Sequence, residues 1–226
     1  MSSNDPIRPS PQPSPGVPGE GAIMRIGHGY DLHRLQAGGR LMLAGIEVSQ
    51  DLCPVAHSDG DVVLHALVDA LCGAMGLGDI GEHFANTDPR WKDAPSRVFV
   101  DIIWKQVAAA GYRLGNADIT ILAERPKLKT FKPAMRQSLA EMLGAMIDQI
   151  NVKAGTNEGC DAIGRGEAIA AHAVVLLVAD EVTQNRKAER LRDLERDLIR
   201  NTLDLDPEVR AERARLMEDF KRDYLP

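Results

Sequence analysis

Asp31 and His33 stand two residues apart, and a strand's period of two puts their carboxylate and imidazole on one face, where both can hold the same metal ion. Alone, Asp31-Leu32-His33 is a weak signal, because the end of a surface strand carries such a tripeptide as readily. A second cluster adds weight: His57-Ser58-Asp59-Gly60-Asp61, followed by His65 and Asp69. Asp61, His65 and Asp69 are spaced i, i+4 and i+8, so a helix starting near Asp59 presents all three on one face. His65 then completes a set of two imidazoles and one carboxylate with an open position, the composition of a zinc that acts on a substrate as a Lewis acid. Asp61 and Asp69 can fix the tautomer of that imidazole; equally, Asp61 can be the acidic first turn of a helix.

Two further stretches offer groups to a phosphate. Asp79-Ile80-Gly81 with Phe84-Ala85-Asn86-Thr87-Asp88 is a polar loop punctuated by glycine, and Lys153-Ala154-Gly155-Thr156-Asn157-Glu158 sets a hydroxyl beside a carboxylate and a lysine. A hydroxyl and backbone N–H groups can hold a phosphoryl oxygen, and Glu158 could bring Mg²⁺ or Mn²⁺ to a diphosphate. Neither has the spacing of a Walker loop, and ordinary turns use the same residues.

The elements that must position these groups alternate along the chain. Residues 24–33 suit a strand and the short apolar stretch 41–46 another, whereas residues 61–75 carry Val62, Leu64, Leu67, Val68 and Leu71 at helical spacing. Pro95-Ser96 introduces a helix over 97–110 that Gly111 stops, and 117–122 reads as a strand. A third helix is expected from about 133 to 143, ended by Gly144, before a strand at 150–154 and a long apolar run at 169–178. The order predicts one α/β domain of the α+β type over residues 24–180, a mixed sheet covered by helices, without internal repeats.

The flanks differ in composition. Residues 1–23 hold six of the 13 prolines and almost no large apolar side chain, so they cannot offset their ordering entropy and are expected to be disordered; translation from Met24 is the other reading. Residues 181–226 contain 11 basic and 12 acidic side chains, a solvated helical extension. Leu191, Leu194 and Leu198 make one narrow apolar stripe there. Asp206-Pro207 starts a second helix lined by Val209, Leu216 and Phe220. Such an extension either folds against its own domain or reaches a partner.

With 226 residues, 44% hydrophobic and 27% charged, the chain supports one substantial core. Aromatics at 4% and a net charge of -6 argue against nucleic acid as a partner. Three cysteines without a C-x-x-C spacing support neither a disulfide framework nor a thiolate zinc site, so a reducing cytoplasm is expected. No run approaches the roughly 18 apolar residues of a membrane span, and no signal-peptide pattern opens the chain.

Taken together, several motifs point further. They are Gly27-His28-Gly29-Tyr30-Asp31-Leu32-His33, the block from His57 through His65-Ala66-Leu67 and Asp69-Ala70-Leu71, Gly78-Asp79-Ile80-Gly81, Thr87-Asp88-Pro89, Arg125-Pro126-Lys127-Leu128 and Gly164-Arg165-Gly166-Glu167. Over about residues 24–179 this series resembles the 2-C-methyl-D-erythritol 2,4-cyclodiphosphate synthase family of the non-mevalonate isoprenoid pathway. The resemblance implies a homotrimer with active sites between subunits. It also implies a cyclising, CMP-releasing phosphorus–oxygen lyase acting on 4-diphosphocytidyl-2-C-methyl-D-erythritol 2-phosphate.

By the same resemblance, Asp31, His33 and His65 bind one zinc per subunit and border the substrate, while Glu158 helps hold Mg²⁺ or Mn²⁺ at the diphosphate. His57 and Thr156 stabilise the transition state. Ser58, Asp79 and Gly81 contact the methylerythritol phosphate, with Phe84, Asn86, Thr87 and Asp88 beside them. Ala123, Pro126, Lys127 and Lys129 form the cytidine pocket, and Gly155, Asn157, Ala162 and Arg165 complete the substrate-binding set. The chain departs from the commonest pattern at Ala85-Asn86, at Gly155 and Asn157, at Ala162 and at His172. A non-catalytic paralogue of the same fold and a zinc-dependent phosphohydrolase are the rival readings.

Overall fold

The computed structural model describes residues 24–180 and scattered positions between 185 and 218. Strand β1 (Met24–Ala37) runs past the expected end at His33 because its inward residues stay on one face as far as Leu35. The apolar stretch at 41–46 is not one strand: Ala44 and Gly45, at φ 54° and 75°, turn it back on itself. It therefore becomes a hairpin of β2 (Leu41–Leu43) and β3 (Ile46–Ser49). A short β4 (Leu52–Pro54) follows, then helix α1 (Val62–Met75), which Gly76 ends in the left-handed region. The polar stretch after Asp79 contains a single helical turn, α2 (Ile80–His83), capped by the Asp79 carboxylate.

Helix α3 (Arg97–Ala109) leads into β5 (Tyr112–Leu122), which begins five residues before the expected strand. Its register shifts between Leu114 and Asn116, and that irregularity hides the first part of the strand from a period-two reading. Helix α4 (Lys132–Leu143), β6 (Ile150–Gly155), a helical turn α5 (Asp161–Gly164) and β7 (Ala168–Ala179) complete the domain.

The main sheet is mixed, in the order β4-β1-β7-β5-β6, with β5 and β6 parallel and the other neighbours antiparallel. Helix α1 lies across β1 and β7, and its residues Leu64, Leu67 and Leu71 are fully buried in the core. The contact with β1 is backbone on backbone. A Cβ on Gly27 would fall 1.8 Å from the Ala70 carbonyl oxygen, and one on Gly29 would fall 1.9 Å from that of Ala66. Two strand residues advance about 6.6 Å and four helix residues about 6 Å, so the two repeats stay in step. Antiparallel to the strand, the helix brings its first turns over Asp31 and His33.

The other face of the sheet is open. Met24, Ile26, Tyr30, Leu32 and Val174 are exposed there, Ile26 at 72%. Cys53, Cys72 and Cys160 are free, and burial pushes the Cys72 thiol up to about 11. Among the described residues no helix is long and apolar enough to cross a membrane. Residues 1–23, Leu191, Leu198, Asp206, Pro207 and Phe220 lie outside the described residues; Leu194, Val209 and Leu216 are exposed.

Candidate functional site

Strand β1 presents Asp31 and His33 on its inward face, and the first turn of α1 brings His65 down beside them. Asp31 Oδ2 lies 3.0 Å from His33 Nε2 and 2.9 Å from His65 Nδ1, and the two nitrogens are 3.1 Å apart. Burial alone raises the pKa of the Asp31 carboxyl, but hydrogen bonds and charge from His33 and His65 outweigh it and hold it well below the usual carboxylate range. Among the described residues this is the one group of three such donors.

The far side of His65 decides what these atoms need. His65 Nε2 lies 2.8 Å from Ser96 Oγ and 3.1 Å from Ser58 Oγ. Ser96 is fully buried; its hydroxyl donates to the Asp59 carboxylate, and its N–H donates to Asp59 Oδ2 at 3.1 Å. With its one proton committed to Asp59, Ser96 Oγ can only accept, so His65 Nε2 carries a proton. In the neutral ring Nδ1 then holds a lone pair aimed at the Asp31 carboxylate 2.9 Å away, an arrangement that a shared metal ion satisfies, as does a second proton on the ring. Donors at 2.0–2.1 Å from one tetrahedral zinc stand about 3.3 Å apart, close to the observed edges. The donor set and its spacing fit a transition-metal ion.

Asp59 and Ser96 therefore fix the imidazole, which corrects the expectation that Asp69 does so and decides between the two readings of Asp61 in favour of the helix start. Asp61 precedes the helix as its N-cap and is fully buried. Its carboxylate accepts from the N–H groups of Val63 and Leu64 at 3.1 Å each, Ala44 at 2.9 Å and Gly45 at 2.7 Å, tying the β2–β3 turn to the start of α1. Burial raises its pKa and these N–H groups oppose the rise. Asp69 accepts from the Ile80 N–H at 2.8 Å and so anchors α2. Ser96 escaped notice because it reads as a helix start; it sits at that position but makes no capping bond. Ser96→Ala is expected to weaken the affinity for a divalent transition-metal ion by about 10–100-fold in a competition with a chelator, with Ser96→Thr recovering much of it.

The three donors open into a cavity of about 630 Å³. His57, Ser58, Ile80, Gly81, Phe84 and Asn86 line it, together with Val55, Trp91 and Phe99, which no sequence motif points to. Phe84 and Phe99 stack at 4.5 Å with Trp91 edge-on to both, an apolar wall. His57 Nε2 is buried without a hydrogen-bond partner. Asp79 caps α2, Asp88 pairs with Arg90 at 2.6 Å, and neither these two nor Thr87 lines the cavity.

Thr156 and Gly155 lie elsewhere, around a second cavity of about 400 Å³ with Ala123, Pro126, Lys127, Lys129 and Lys132. The Thr156 hydroxyl donates to Glu158 at 2.9 Å, and Asn157 donates to Asp161 at 2.8 Å. Ala162 packs against a small cluster of Ile163, Ala168 and Ala170, and Arg165 pairs with Glu167 at 3.0 Å at the edge of a third cavity. The expected site residues thus fall into separate groups within one chain.

The profile of the YgbB family matches residues 24–178. The 2-C-methyl-D-erythritol 2,4-cyclodiphosphate synthase of Geobacter metallireducens is 54% identical over 154 residues, 68% of this chain and 98% of that one. That of Pseudomonas aeruginosa is 53% identical over 156 residues, 69% of this chain and 99% of that one. A solved structure of a 2C-methyl-D-erythritol-2,4-cyclodiphosphate synthase in its CDP-bound form has 42% identity and a TM-score of 0.63, over 68% of this chain and 99% of that one. Matched over the whole span that carries the metal donors and both cavities, the chain belongs to the YgbB family, alongside the 2-C-methyl-D-erythritol 2,4-cyclodiphosphate synthases.

Proposed function

We propose that this protein converts 4-diphosphocytidyl-2-C-methyl-D-erythritol 2-phosphate to the cyclic 2,4-diphosphate and CMP, as a phosphorus–oxygen lyase. The observation that carries the reading is the triad of Asp31, His33 and His65, spaced to hold a metal ion, in the lining of a cavity with an apolar wall. Those three residues would hold a zinc ion, which when bound supplies Lewis-acid polarisation of the β-phosphate. The 2-phosphate oxygen attacks the β-phosphorus; that bond forms as the bond from the β-phosphorus to the bridging oxygen breaks, and the oxygen leaves with CMP.

Such a transfer needs positioning and charge neutralisation more than a protein nucleophile. Ser58 and Gly81 line the cavity where the methylerythritol portion is placed, and the wall of Ile80, Phe84, Trp91 and Phe99 keeps water from competing with the internal nucleophile. His57, with its unpartnered buried nitrogen, is placed to hydrogen-bond a phosphoryl oxygen. Lys127, Lys129 and Lys132 give the second cavity the positive charge that a cytidine phosphate needs, and Pro126 and Ala123 bound the base. Thr156 lines that cavity and donates to Glu158, which offers carboxylate oxygens for Mg²⁺ or Mn²⁺.

As the family resemblance implies, each complete site joins two copies of the chain in a homotrimer; that the two cavities share no lining residue within one chain supports this reading. The exposed apolar residues Met24, Ile26, Tyr30, Leu32 and Val174 supply the surface for that assembly. The reaction is tested by incubating the full chain with substrate, Zn²⁺ and Mg²⁺ and following CMP release together with the ³¹P spectrum of the product. A cyclic diphosphate is expected. A linear product would make the protein a hydrolase, and absence of CMP a binding paralogue.

A further inference from the structure

The open face of the sheet carries two imidazoles that the reaction does not use. Tyr30 and His172 are directly opposed on β1 and β7, and His28 lies two residues before Tyr30, so His28 and His172 are diagonal neighbours on one face. His28 Nε2 and His172 Nδ1 stand 3.1 Å apart, in rings inclined at 25° with centroids 5.4 Å apart. The Tyr30 ring packs on His172 at 4.6 Å and limits where that imidazole can go. Successive strand residues point to opposite faces, so this pair lies across the sheet from Asp31 and His33 and forms no part of their site.

We propose that His28 and His172 form a second metal site, taking one borderline transition ion such as Zn²⁺ per chain with water in the remaining positions. As a bare hydrogen bond the pair gains little, since each exposed ring nitrogen merely exchanges water for the other ring. As a chelate it is well placed. Two nitrogens at 2.0–2.1 Å from one zinc are about 3.3 Å apart in tetrahedral and about 2.9 Å apart in octahedral geometry, and the observed 3.1 Å falls between. Both ligands stand on adjacent strands in an unbroken register from Met24 to Arg34, so binding orders little that is not already ordered. A donor set of imidazoles without a carboxylate selects against Mg²⁺ and Ca²⁺, which take oxygen ligands. The site takes both ligands from one chain, on the face proposed above for assembly, and does not need the proposed reaction.

Calorimetric titration of Zn²⁺ into the metal-stripped full chain tests it. The wild type is expected to take two ions per chain in two resolved phases. His28→Ala and His172→Ala should each weaken the looser phase at least tenfold and leave the tight one in place, whereas His65→Ala should remove the tight phase and keep the looser one. His172→Gln provides the same comparison with a side chain of similar size, should His172→Ala fail to fold by circular dichroism. CMP release by the zinc-loaded His172→Ala protein should stay within about twofold of wild type, so failure of the reaction itself would show in the wild type instead. One ion per wild-type chain, or a looser phase unchanged in both His28→Ala and His172→Gln, overturns the site.

Discussion

His65→Ala is expected to lose essentially all tight zinc binding and to lower CMP release by more than about 100-fold, the upper end of the loss typical when only an outer hydrogen-bond partner of a ligand is removed. The physical reason is that His65 is the one donor brought by α1. Without it, Asp31 and His33 remain as a two-donor site on a single strand. The buried Ser96 and the half-buried Asp59 then lose the imidazole they orient, so added zinc should not restore the rate at concentrations that saturate the wild type. Metal content after gel filtration and CMP release, measured on the same preparation, check both halves. A variant that keeps one tightly held zinc per chain removes His65 from the ligand set.

The second large effect is a gain rather than a loss. Thr156→Ala should also be nearly inactive, because Thr156 stands at the cavity proposed for the cytidine phosphate. If each working site joins the metal cavity of one copy to the Thr156 cavity of the next, unfolding the two inactive variants together and refolding them rebuilds intact sites. Random assembly from equal amounts gives about a quarter of the interfaces an intact metal half and an intact Thr156 half. Activity should therefore rise far above either parent, towards about that fraction of wild type. Mixed trimers confirmed by mass spectrometry but as inactive as the parents would place both halves in one chain.

The metal donors were legible in the sequence because local rules suffice for them. A period of two sets Asp31 beside His33, and one helix brings in His65. The groups that orient His65 were not legible. Ser96 is 31 residues away from it and resembles an ordinary helix start, and only the packing of α3 beside α1 reveals that its hydroxyl faces inward. For Asp61 the sequence leaves two readings open, a partner for His65 or the acidic start of the helix, and only the structure decides for the second: it is a cap whose carboxylate serves four backbone N–H groups. The alternation of apolar residues located the sheet, while turns with positive φ at Ala44 and Gly45 and the shift near Gly115 moved its strand limits.

The close contact of Gly27 and Gly29 with the carbonyls of Ala70 and Ala66 has a consequence for inheritance. A poorly packed side chain can be excused by shrinking its neighbour, since the neighbour's side chain is itself a variable. Here the obstructing atoms are main-chain oxygens, present whatever residue occupies 66 or 70. A lineage that loses either glycine thus has no second-site change at the point of collision that restores it. The only way back is reversion, or a shift of the whole helix that would carry His65 away from Asp31 and His33.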